Sequence, residues 1–282
     1  MQTLDMLRFR CLSHDFGVAA DRERDLAAVG QALEPFVVGE SAGEPTVLYE
    51  LRTTASGSYS LVVDGERVRV SDDPAEPLDL LLWYVGEYTV LAEKGLLLLH
   101  AGAVLAPDGR ALLLPGASGS GKSTTTFGLV RAGFGYLSDE FAVVDPETSE
   151  VFAFPRPLAL KGGTRRLMPQ VDALAVLAPL DPGQTVHVAA ERIGARVADR
   201  SFAPGWVVFP RYEAGARTTL EALSPGETCV ELVRGTFRPD GRVPQVLATM
   251  ARVAREARGH RLTIGDLDEA VALLTRLVGL PG

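Results

Sequence analysis

An α/β fold with a mixed sheet, preceded by a small α+β domain, is what the sequence predicts, on three observations. An apolar run of strand length, Ala111-Leu112-Leu113-Leu114, leads through a glycine-rich loop into a helix-patterned stretch over residues 124–131. Apolar runs and helical spacing alternate from there toward the end of the chain, as strands interleaved with helices do. Turn signals at Asp64-Gly65 and Pro107-Asp108-Gly109 stand between apolar runs and demand antiparallel hairpins as well.

At 282 residues the chain has room for two domains. Apolar residues make up 46% and charged residues 23%, the balance of an ordinary globular protein with a real core. No apolar run reaches the roughly eighteen residues that a membrane span needs, so no membrane partner is expected. The N-terminus lacks a basic-then-apolar signal pattern, and the cytoplasm is the expected compartment. Cys11 and Cys229 are too few and too far apart for a disulfide framework or a zinc site. The net charge of −8 argues against a nucleic-acid partner, because phosphate neutralisation supplies most of that affinity. It does not argue against a nucleotide. Lysine is rare, with Lys94, Lys122 and Lys161 the only three.

Residues 1–77 read as the small domain, a candidate partner- or peptide-binding module. Residues 4–12 suit a strand, 21–33 a short helix, and 46–53 and 58–63 two further strands. Asp64-Gly65 then turns the chain into the alternating run Arg67-Val68-Arg69-Val70. His14 beside Asp15 reads as a surface pair. Ser71-Asp72-Asp73-Pro74-Ala75-Glu76-Pro77 is rich in turn formers and marks the boundary, leaving residues 78–282 as the second domain. Over residues 78–93 the spacing of Leu81, Leu82, Tyr84, Val85, Tyr88 and Leu91 suits a helix, closed by Gly95.

Gly116-Ala117-Ser118-Gly119-Ser120-Gly121-Lys122-Ser123 fits the phosphate-loop pattern G-x-x-x-x-G-K-[ST] without mismatch. Glycines let successive N–H groups point at phosphate oxygens, and a helix N-terminus adds its positive dipole end. ATP with Mg²⁺ is the expected ligand pair, held by Gly116 to Ser123 and Thr124. Lys122 would reach the β- and γ-phosphates, and the Ser123 hydroxyl the metal. Ahead of the loop, residues 96–105 read as a central strand and 110–114 as its hairpin partner. Pairing outward from the turn sets Leu105 against Ala111 and brings His100 opposite Gly116. Histidine suits proton transfer near neutral pH, so His100 is a candidate catalytic group.

A phosphate-loop enzyme also needs a carboxylate at the end of a neighbouring strand. Asp145 follows an apolar run, but Asp145-Pro146-Glu147-Thr148 is equally a turn signal that makes it a hairpin tip. Asp139 and Glu140 at the open end of that hairpin are preferred. They would reach the loop if Tyr136-Leu137 lies beside residues 111–114. One acid could hold Mg²⁺ or its waters and the other accept a proton, so Asp139 and Glu140 are both metal candidates and Asp139 a catalytic one. Prolines on both sides fix the direction of Arg156, and Lys161 precedes two glycines. These cations either neutralise charge during transfer or sit in a solvated turn. Thr164-Arg165-Arg166 would extend the positive rim. Strands are expected at 173–177, 185–189, 206–209, 219–223 and 261–264, with helices from Pro225 (Ser224 capping), at 243–256, and after Asp266. Arg192, Arg196 and Arg200 have the spacing of one helix face or a substrate-contacting loop.

Taken together, His100-Ala101-Gly102-Ala103-Val104, the loop, and Leu137-Ser138-Asp139-Glu140 resemble the HPr kinase/phosphorylase-related serine kinases. So do Arg156-Pro157-Leu158-Ala159-Leu160-Lys161, Trp206-Val207-Val208-Phe209-Pro210 and Gly265-Asp266-Leu267-Asp268-Glu269-Ala270. The resemblance covers about residues 97–277. It is closest to the smaller homologues, including those of gene clusters for lasso and other modified peptides. It implies a catalytic domain of the HPr kinase C-terminal and PEP carboxykinase-like type, with partly antiparallel strands around the loop. It also implies that Asp139 stands at the base for the acceptor hydroxyl, Glu140 at the metal-associated acid, and His100 beside the base. Here the second acid is Glu where the family has Asp, and the matching segments include no counterpart of the family's Glu-x-Arg-Gly segment. The likeness therefore does not extend to the phosphorylase activity or to HPr as acceptor. The activity implied is an ATP/Mg²⁺-dependent kinase acting on a hydroxyl, serine foremost, of a peptide or small protein such as a ribosomal precursor peptide, with homo-oligomerisation left open. The alternatives are a small-metabolite kinase and a nucleotide-binding regulatory module without transfer.

Overall fold

The computed structural model describes residues 5–39, 43–181, 183–193, 201–237 and 241–279. It shows a mixed α/β protein whose chain divides into two units. One is Met1–Lys94 with Ala159–Ala189, the other Gly95–Leu158 with Ala190–Gly282.

In the first unit, β1 (Met6–Cys11), β2 (His14–Ala20), β3 (Val47–Thr53), β4 (Tyr59–Val63) and β5 (Glu66–Ser71) form one five-stranded sheet in chain order. β2 and β3 run parallel, and the other neighbours are antiparallel. The parallel pair requires a crossover, which α1 (Glu23–Ala32) supplies. Asp64 (φ 47°) and Gly65 (φ 84°) make the expected two-residue turn. α2 (Ala75–Ala92) buries Leu78, Leu81, Leu82 and Val85 and groups with this sheet rather than with the second unit.

β2 has no counterpart among the sequence expectations, and it corrects the reading of His14. Only Asp15 faces outward, to Arg10 (Nε–Oδ1 2.6 Å). His14 is 3% exposed and stacks on Phe16 and Tyr88, with centroids at 4.9 and 5.6 Å. A histidine in a strand next to apolar residues is drawn into the core because its ring offers a stacking face.

The second unit begins with β6 (Leu97–Leu105), β7 (Ala111–Pro115), α3 (Lys122–Arg131), β8 (Gly135–Ser138), β9 (Phe141–Val144) and β10 (Val151–Phe152). The chain then returns to the first unit through β11 (Leu158–Leu160), α4 (Gly162–Leu167) and β12 (Val186–Val188). Asp73 ties that return in place, its Oδ2 accepting from Leu180 N (2.7 Å) and Asp181 N (3.2 Å). Where the sequence suggests a strand at 173–177, a 3₁₀ turn spans Pro169–Leu174, with one bridge from Ala175 to Val188. Pro169 cannot donate to a ladder, and Arg165 holds Asp172 at 2.7 Å within the turn.

β13 (Ser201–Phe202), β14 (Pro204–Tyr212), β15 (Thr219–Ala222), α5 (Pro225–Arg234), α6 (Val243–Glu256), β16 (Arg258–Ile264) and α7 (Leu267–Leu277) complete the second unit. Its sheet has the order β13-β10-β9-β6-β7-β14-β16-β15, with β8 also on β6. β7 is antiparallel to β6 and parallel to β14, so the sheet is mixed. Ser224 caps α5 as expected, reciprocally with Glu227, and Asp266 caps α7. Leu97, Leu99, Leu113, Val207, Leu232, Met250 and Val253 are fully buried in one apolar cluster. No described helix is long and apolar enough to cross a membrane.

Burial lowers His14 to a pKa of about 4, with Asp15 acting weakly the other way. The unfolded ring titrates near 6.5, so the stability His14 contributes is complete above about pH 6.5 and is lost as the pH falls toward 4. Urea unfolding at roughly pH 7 and pH 5 should differ through this group by on the order of 2 kcal/mol. His14→Leu should flatten that part of the pH profile whatever it does to the absolute stability.

Candidate functional site

The site is built outward from β6, whose two edges carry its two halves. On one edge the hairpin register runs Leu105↔Ala111, Val104↔Leu112 and on to Ala101↔Pro115, as the turn arithmetic predicts. One step further, Gly116 N donates to His100 O (3.3 Å), so the glycine-rich loop leaves the sheet beside the histidine. Gly121 (φ +98°) turns the chain into α3, a conformation other residues adopt only with strain. A second glycine fixes where that helix lies. A Cβ on Gly102 would stand 2.4 Å from Thr126 Oγ1, so its absence lets α3 rest directly on β6.

Within the loop, Ser120 N donates to Ala117 O (3.2 Å), while Ser120 O accepts from Tyr212 N (3.1 Å). Ala117, Ser118 and Gly119 are exposed, and Ser123 and Thr124 are half-buried in the first turn of α3. Lys122 is only 6% exposed, and its Nζ donates to Gly116 O (2.7 Å) and Ala117 O (3.0 Å). The ammonium is thereby curled over the loop's own opening residues.

On the other edge of β6, β9 pairs with residues 97–100 and β8 with 103–105. The corner between them, Asp139-Glu140, therefore faces Ala101, and Ala101 N donates to Glu140 O (3.3 Å). Tyr136-Leu137 thus lies beside β6 and not beside β7, because β14 occupies the far edge of β7. The acids still come level with the start of the loop, one strand away. His100 Nε2 lies 3.2 Å from Glu140 Oε1, so the histidine stands with the second acid rather than with Asp139. Its ring packs against Phe237 at 5.3 Å, and its N–H donates to Gly235 O (2.8 Å). Asp139 is 1% exposed, whereas the Glu140 side chain is 41% exposed.

Burial pushes the Glu140 carboxyl upward, but the hydrogen bond and charge of His100, with Arg156 and Lys122, hold it below its ordinary value. The buried Tyr136 phenol, pushed well up by burial and by Asp139, donates to Arg156 O. Arg156 itself lies over the Phe141 ring, 5.4 Å from its centroid.

His100, Arg156 and Lys122 are thus each brought within electrostatic reach of Glu140. Lys161 is carried by the first unit, just ahead of α4. Arg165 serves its own turn, bonded to Asp172, Asp181 O and Gln184 O rather than extending a positive rim. Asp145 is the hairpin tip, accepting from Glu147 N (2.7 Å) and Thr148 N (3.1 Å). Arg196 and Arg200 lie outside the described residues. Phe237 and Gly235, which brace His100, carry no motif that a sequence could reveal.

Among the described residues no three His, Cys, Asp or Glu side chains cluster as a metal cage. Mg²⁺ is compatible with what is present, since it is commonly held by one or two carboxylates with substrate phosphates. The Glu140 carboxylate and Ser123 hydroxyl are hard oxygen donors of that kind. No family model matches the chain, and no curated protein matches it.

Removing the ring in His100→Ala should raise the Glu140 carboxyl toward its ordinary range. Carboxyl ¹³C titration by NMR reads this directly, and an unmoved Glu140 would show that His100 does not set its charge.

Proposed function

We propose that this protein is an ATP- and Mg²⁺-dependent kinase of the HPr-kinase-related type, transferring the γ-phosphoryl group to a hydroxyl, serine foremost, of a peptide or small protein. One observation carries the reading. A loop with the phosphate-binding pattern leaves β7 at the level where an acid pair and a histidine meet the opposite edge of β6. Donor groups and proton-accepting groups thus lie one strand apart.

In this reading Gly116 to Ser123 and Thr124 form the phosphate-binding loop, and Lys122 turns from its two carbonyls to the β- and γ-phosphates. Mg²⁺, held by Ser123 and Glu140, would supply charge neutralisation between the phosphates. Asp139 accepts the proton as the acceptor oxygen bonds to the γ-phosphorus and the bond to the β–γ bridging oxygen breaks. Arg156 offsets negative charge beside Glu140, and His100 fixes that carboxylate in place. A share for Lys161 rests on its charge and its place before two glycines in the sequence.

Incubation with Mg-ATP and candidate peptides, followed by intact-mass and fragment analysis, should find one phosphoryl group on a serine. Phosphate on a small hydroxylated metabolite would shift the reading to the metabolite kinase, and nucleotide binding with no transfer to the regulatory module. Asp139→Asn should lower turnover by roughly 10²–10⁴-fold while nucleotide binding persists. Retained turnover there, with loss in Glu140→Gln, would move the base to Glu140. Lys122→Ala should weaken binding and turnover together.

A further inference from the structure

We propose that Tyr212 is the platform on which the base of the bound nucleotide stacks, and that it gives the site a preference for purine nucleotides. The proposal rests on the phosphate-loop reading above and adds to it the base subsite. β14 runs parallel to β7 and ends beside the loop that β7 feeds. Ligands of open α/β sheets sit outside the carboxyl ends of such strands. Tyr212 is the last residue of β14, and its N–H is bonded to Ser120 O in the middle of the loop (3.1 Å). Its Cβ lies 3.7 Å from where a Cβ on Gly121 would stand, so the side chain leaves the sheet against the first turn of α3.

Upstream on the same strand, Trp206, Val207 and Val208 are buried, yet Tyr212 is 49% exposed. An aromatic face is therefore presented to solvent at the rim of the loop. Its backbone is held firmly there. Tyr212 is in register with Ile264, and Glu213 N donates to Ile264 O (3.0 Å). Thr218 Oγ1 accepts from Gly265 N (3.2 Å) and Asp266 N (3.0 Å), closing the adjoining turn onto the end of β16.

A fixed, half-exposed ring is what base stacking requires, since any base has a π-face and the larger purine covers more of it. The phosphates would occupy the loop and the base would lie back across the end of β14. None of the residues given to phosphate or proton transfer is used.

Calorimetric titration of wild type, Tyr212→Ala and Tyr212→Phe with Mg-ATP, Mg-UTP and Mg-tripolyphosphate tests this. Tyr212→Ala should weaken ATP binding about tenfold or more, erase the preference for ATP over UTP, and leave tripolyphosphate binding unchanged. Tyr212→Phe should behave as wild type. If Tyr212→Ala binds ATP as wild type does while tripolyphosphate also binds, the base platform is wrong and the phosphate loop stands. An equal loss for tripolyphosphate would show that Tyr212 acts through the loop's shape and would also overturn the platform. Wild type binding neither ATP nor tripolyphosphate would overturn the phosphate-loop reading and this proposal with it.

Discussion

The backbone of β6 is the constraint on which the candidate site depends. Its hydrogen-bonding directions are used on both edges, and within two residues they fix both halves of the site. His100 O receives Gly116 N from one side, and Ala101 N reaches Glu140 O on the other. A strand repeats its pattern every two residues, so a slip of one would turn His100 to the opposite face and break its contact with Glu140. The buried cluster around Leu97, Leu99, Ala101 and Ala103 holds that register, because a slip would turn the same residues away from the partners they pack against.

Electrostatics build on this register. Glu140 is partly buried, which by itself would favour its neutral form, yet the cations around it leave it more acidic than usual. Lys122 is buried too, held against carbonyls at the mouth of the loop. Opposite charges gathered at one end of a sheet in partly desolvated surroundings interact more strongly than they would on an open surface.

Local chemistry makes much of this legible in advance. Asp64-Gly65 and Pro107-Asp108-Gly109 specify turns through backbone preferences that neighbours cannot easily override, and counting from the second reaches His100 opposite Gly116. Ser224 and Asp266 announce their helices because a cap satisfies backbone donors within three residues. His14 is not legible in this sense, for nothing local says whether a histidine in a strand faces Phe16 and Tyr88 or water. Arg165 is similar. Its sequence neighbours suggest a basic rim, while its partners Asp172, Asp181 and Gln184 are set by how the turn closes. The partner of Tyr136-Leu137 is β6 and not β7, the strand on which the sequence reading of the acid pair is conditioned. Both are apolar strands, and only the placement of β14 decides which edge is open to β8.

By itself the sequence determined the strand, loop and helix at residues 111–131, the hairpin that sets His100 against Gly116, and the acid pair at an open hairpin end. Each depends on steric rules or on spacing along a few residues. Only the tertiary structure decided that His100 pairs with Glu140, that Phe237 and Gly235 brace it, and that the end of β14 holds Tyr212 at the rim of the loop. Those contacts join residues far apart in the chain. They depend on which edges of a mixed sheet meet, and that is settled by burying the whole core at once.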